Sequence, residues 1–108
     1  MQIPTPPNPA LSAFAEAFAA EVPSASFVEV KIHEPGSDEY PHRRAEPGTV
    51  KVTVEARFPD GRKFAGYESG VATDEDGRPP VELMRILGRA FGKTCAAEAS
   101  PGTPRIEP

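Results

Sequence analysis

The sequence predicts an α+β domain, a two-layer α-β-β-β-α arrangement with a three-stranded antiparallel sheet packed against two helices. Three observations carry this reading. Residues 49–58 alternate strictly, with Val50, Val52, Val54, Ala56 and Phe58 on one side and Thr49, Lys51, Thr53, Glu55 and Arg57 on the other, the pattern of a half-buried strand. Pro59, Asp60 and Gly61 follow at once, and each favours a chain reversal, so this strand enters a hairpin. At either end of the chain lies a run with apolar residues three and four apart, the spacing of a helix with one covered face.

The elements follow in order. Residues 1–8 are a proline-rich lead-in expected to be flexible, and the domain proper is expected to span 9–99. Asn8 fits an N-cap, with Pro9 at the first helical position where its missing N–H costs nothing. Leu11, Phe14, Phe18 and Val22 then form one stripe of a helix over about 9–22, which Pro23 stops. Its other side carries only Glu16 and Glu21 among alanines, so a second covered side is expected.

Residues 26–34 alternate again, with Val28, Val30 and Ile32 opposed to Phe27, Glu29, Lys31 and His33. Residues 36–48 show no periodicity and form a connection longer than the usual four to six or so residues, which marks a functional or a disordered loop. Beyond the hairpin, residues 63–71 give a third strand whose Gly66 and Gly70 imply a bulge or a close backbone approach. Residues 73–80 read as an acidic loop, with Asp74, Glu75 and Asp76 before the positive end of a second helix and Pro80 at its first position. That helix places Leu83, Ile86, Leu87, Ala90 and Phe91 on one stripe and Arg85, Arg89 and Lys93 on another, with an end expected near 92–98 and Gly92 as a possible cap. Residues 100–108 are expected to be a flexible tail. The predicted core joins Val28, Val30, Ile32, Val50, Val52 and Val54 to Phe14, Phe18, Leu83, Leu87 and Phe91.

Composition narrows the function classes. The 108 residues suffice for one core, and 14 prolines and 9 glycines exceed average usage. A net charge of −4 opposes phosphate backbones and anionic membranes at long range. The single Cys95 precludes an internal disulfide and the usual cysteine-rich zinc site, and suits a reducing, cytoplasmic setting. The first residues lack the charge and apolar run of a signal peptide, and no stretch has the roughly 20 apolar residues of a membrane span.

The α-β-β-β-α order over residues 9–92 resembles that of the double-stranded-RNA-binding domain. That resemblance implies phosphate contacts at the start of the second helix, where the family carries lysines. Here the matching residues 74–80 are acidic, so the likeness stops at element order. Arg85, Arg89 and Lys93 read as a solvated helix face. Asp74, Asp76 and Gly77 have the alternation of a calcium loop, but its first and twelfth ligand positions fall on Ala72 and Leu83. His33, His42, Asp38 and Glu39 match no metal-ligand spacing, and Cys95 sits among alanines without an orienting partner. No phosphate loop, nucleophile elbow or paired catalytic carboxylates are present, and no cofactor, metal or catalytic residue is expected.

The expectation is therefore a small acidic, non-catalytic protein-binding module. Its expected contact residues are Asp38, Glu39, Tyr40, His42, Arg43 and Arg44 in the long loop and Asp74, Glu75 and Asp76 in the acidic one. Phage and mobile-element inhibitors, anti-CRISPR proteins among them, are similar in size and charge, which implies a nucleic-acid-handling partner. The alternatives are direct nucleic-acid binding and a homodimeric accessory subunit. A dimer would form through a sheet edge or through the open sheet face carrying Phe27, Lys31, Thr53 and Arg57.

Overall fold

The computed structural model describes residues 8–99, with helix α1 over Pro9–Glu21, strands β1 Phe27–His33, β2 Thr49–Arg57 and β3 Lys63–Ala72, and helix α2 over Val81–Ala99. The strands form one antiparallel sheet in the order β1-β2-β3, with the helices on one face, an α+β fold. The expected lead-in and tail lie, apart from Asn8, outside the described residues.

Local chemistry sets the first helix as anticipated. Asn8 is extended, its side-chain oxygen accepts from the Ala10 amide at 2.8 Å, and Pro9 begins the helix. Pro80 behaves differently from the expectation. Its carbonyl accepts the Met84 amide at 3.1 Å, so it caps α2 from outside and Val81 is the first helical residue.

All five inward residues of the central strand and its exit, Val50, Val52, Val54, Ala56 and Phe58, are buried. Val28 is buried beside them, while Val30 and Ile32 on the edge strand are half-buried. Phe14 and Phe18 of α1 complete the centre of this core, with ring centroids 5.8 Å from Phe91 and 6.0 Å from Phe64 respectively. Burial on this scale is the main favourable term holding the layers together.

Helix α2 departs from the sequence reading in two ways. It continues through Gly92 to Ala99, and its buried side is rotated so that Met84, Gly88, Gly92 and Cys95 are inside, with Ile86 61% exposed and Ala90 also exposed. The cause is α1. A Cβ on Gly88 would lie 2.9 Å from the carbonyl carbon and Cα of Phe14, and one on Gly92 would lie 3.0 Å from the Phe18 oxygen. Gly92 is therefore a contact point between two helix backbones and not a cap. Leu83, Leu87 and Phe91 still meet the core from the neighbouring side of the helix. α1 thus has the second covered side anticipated from its alanines, packing on α2 as well as on β1.

The third strand bears out its glycines. Between the Val50–Val71 and Val52–Glu68 pairs, two residues' advance on β2 meets three on β3, a bulge with Gly70 at φ 71°. Gly66 leaves room for the Phe91 ring, whose nearest atoms would be 3.0 and 3.1 Å from a Cβ there. The Phe91 ring of α2 thus seats against β3 at this glycine.

Candidate functional site

The end of β1, the start of β2 and the end of β3 coincide at one end of the sheet, so both loops singled out by sequence emerge there. The connection between His33 and Thr49 is an ordered structure built around one side chain. Tyr40 is only 3% exposed. Its hydroxyl lies 2.8 Å from Thr49 Oγ1, and it accepts from the Gly70 amide at 3.1 Å and the Glu46 amide at 3.4 Å. Thr49 Oγ1 donates to the Glu46 carbonyl at 2.6 Å, so the remaining proton in the Tyr40–Thr49 contact comes from the tyrosine. A continuous chain of donors therefore runs from the β3 bulge through Tyr40 and Thr49 to the loop backbone.

Further bonds close the near side of the loop. The Gly36 amide donates to the Tyr40 carbonyl at 2.8 Å, Tyr40 N donates to the Ser37 carbonyl at 3.1 Å, and Lys51 Nζ donates to the Glu39 carbonyl at 3.1 Å. A single turn follows, in which the Arg44 and Ala45 amides bond to the Pro41 carbonyl at 2.9 and 3.1 Å. Tyr40, expected as a contact residue, is thus an interior anchor. The physical reason is its position at the sheet end, where the bulge leaves the Gly70 N–H in need of an acceptor.

The other expected contact residues of the loop are outside. Asp38, Glu39, His42, Arg43 and Arg44 are exposed. Asp38, Glu39, Arg43 and Arg44 rim one shallow depression with Lys51, Tyr67 and Ser69 of the sheet. Tyr67 is 63% exposed, and the Lys51 ammonium stands 4.6 Å from its ring centroid. Neither Lys51 nor Tyr67 stood out in the sequence, although a lone aromatic among polar residues on the outward side of a strand was the available signal. His42 packs against the backbone of Gly36.

The acidic turn occupies the helix side of the same end. Asp76 borders a separate depression with Asn8, Leu11, His33, Glu34, Ser37 and Arg78. Asp74 Oδ1 accepts from the Asp76 amide at 2.9 Å and the Arg78 amide at 3.1 Å, so that carboxylate shapes the turn. Glu75 and Asp76 remain exposed. The structure therefore brings the two loops to one end, where they share a depression at Ser37 and Asp76, but the exposed charges Asp38, Glu39, Arg43 and Arg44 rim a different one.

The groups with chemical potential are dispersed. His33 Nε2 is 3.0 Å from Thr53 Oγ1, and burial lowers its imidazole below the ordinary range, with Glu39 opposing and Lys51 and Lys31 adding to the effect. Cys95 lies at the opposite end, beside Phe58, Arg62, Phe64 and Glu98, where burial pushes its thiol up to about 11. Such a thiol is a poor nucleophile and neither histidine is beside it. Among the described residues no group of three or more histidine, cysteine or acidic side chains could hold a metal ion, and no helix is long and apolar enough to cross a membrane. No protein-family model, curated protein or solved structure matches this chain.

Proposed function

We propose that this chain is a non-catalytic protein-binding module, and that Asp38, Glu39, His42, Arg43 and Arg44 make the contact with Lys51 and Tyr67 beside them. The supporting observation is the buried Tyr40 hydroxyl, which ties the loop to both β2 and β3 and so holds these exposed groups in place before a partner arrives. A loop ordered in advance loses less conformational entropy on binding. Arginine and tyrosine are the residue types that concentrate binding energy at interfaces. The net charge of −4, with Glu75 and Asp76 exposed at the same end, suits a partner with a basic surface. A nucleic-acid-handling protein blocked in the manner of an anti-CRISPR inhibitor is such a partner.

Affinity capture from a lysate of the source cells with four forms of the chain tests this. The unaltered chain should retain a defined partner, Arg43→Ala with Arg44→Ala should lose it through the missing arginine contacts, and Glu75→Lys with Asp76→Lys should weaken it. Asp74 is left intact because its carboxylate holds the turn. Tyr40→Phe should retain less partner while keeping the folded circular dichroism spectrum. Equal capture by all four forms, or capture by none, overturns the assignment. Direct nucleic-acid binding would draw on Arg85, Arg89 and Lys93 together with Arg43 and Arg44, and of these Arg85 already pairs with Glu82. That alternative predicts a duplex mobility shift that weakens steeply with salt.

A further inference from the structure

We infer that the outer edge of β1 is a self-pairing surface, joining two copies of this chain into a continuous sheet. β1 pairs with β2 on one side, in an unbroken register from Phe27 to His33. On its other side, among the described residues, no backbone hydrogen bond outside that ladder involves these positions. The two sheet edges are unlike. β3 is interrupted by its bulge at Gly70, a device that discourages strand addition, whereas β1 has neither bulge nor proline.

The pattern of β1 selects the occupant and the register. Two copies of one edge pair antiparallel about a twofold axis, and their hydrogen bonds and faces match only when the axis passes through a residue, not between two. An axis through Glu29 sets Glu29 against itself, and one through Lys31 sets Lys31 against itself. An axis through Val30 sets each Glu29 opposite Lys31 of the other copy, two favourable pairs at once, and sets Val28 opposite Ile32. Val28, Val30 and Ile32 all lie on the helix side of the sheet, so this register also extends the half-buried edge of the core.

A second observation points the same way. Within one chain Glu29 stands directly opposite Glu55, a like-charge pair, and among the described residues each pairs with a cation on its own strand: Lys31 at 3.7 Å and Arg57 at 3.3 Å. Pairing about Val30 brings a further lysine to the other side of Glu29. The inference is independent of the loop contact proposed above.

Sedimentation equilibrium of the full chain tests it through a charge exchange. The unaltered chain should show twice its 11.5 kDa mass at micromolar concentration. Glu29→Lys alone and Lys31→Glu alone should each weaken association about 10- to 100-fold, since two attractive pairs become repulsive. The double exchange should restore it. A monomer at all concentrations overturns the inference, as does a dimer indifferent to these changes. Val30→Cys supplies a check that does not depend on charge: mild oxidation should give a covalent dimer, whereas Glu29→Cys, offset from its own copy, should not. Failure of Val30→Cys to crosslink overturns the register.

Discussion

Replacing Gly88 by alanine adds one carbon where the two helices touch, and the expected result is a less stable protein. In an isolated helix the same change would stabilise by about 1 kcal/mol, because alanine is the better helix former. Here the new Cβ would stand 2.9 Å from two backbone atoms of Phe14 and closer still to its carbonyl oxygen, whereas ordinary contact begins near 3.4 Å. A shortfall of about 0.5 Å or more cannot be absorbed by rotating a side chain, since the obstacle is backbone. The helices must separate, which also loosens Met84, Phe14 and Phe91 between them. Overpacking of this kind costs up to about 3 kcal/mol, leaving a net loss of about 2 kcal/mol after the propensity gain. That corresponds to a fall in Tm of roughly 10 °C for a domain of this size. Urea and thermal unfolding followed by circular dichroism measure it, with the urea slope expected to stay constant. A variant as stable as the parent, or more so, would refute the close helix crossing.

Three further outcomes are expected. Tyr40→Phe should cost about 1–2 kcal/mol, because the Gly70 and Glu46 amides and the Thr49 hydroxyl lose a shared partner, and an unchanged urea midpoint would count against the hub. Stability should decline as pH falls from about 6.5, the unfolded histidine value, because burial lowers the His33 imidazole in the fold and the unfolded chain takes up the proton first. His33→Gln should flatten that slope, and an identical pH profile in the variant would exclude His33 as its source. Cys95, with its thiol pushed up to about 11, should react with an aromatic disulfide reagent at pH 8 on the order of 100-fold more slowly in the native protein than in denaturant, and rapid native reaction would contradict its burial.

The sheet was legible because a period of two, carried by Val50, Val52 and Val54, leaves one choice of buried face. Asn8 and Pro9 located the first helix because capping is local chemistry. The rotation of α2 was not legible. Gly88 and Gly92 read as weak helix positions in isolation, and their value appears only against the α1 backbone, which lies far away along the chain. Tyr40 was misplaced for a related reason. An aromatic among charges in an aperiodic loop reads as surface, but the groups that bury it include Gly70, thirty residues onward. The exposed charges beside it needed no such partner and were visible from composition alone.

Amide exchange and heteronuclear NOE measurements across residues 36–48 test the central claim, that the long loop is held rigid by its buried tyrosine. In the unaltered chain the Gly70 and Glu46 amides should exchange slowly, and residues 37–45 should show NOE values close to those of the helices. Tyr40→Phe should abolish both while leaving the β1–β2 ladder protected. Fast exchange at Gly70 with low NOE values throughout the loop of the unaltered protein would contradict the account.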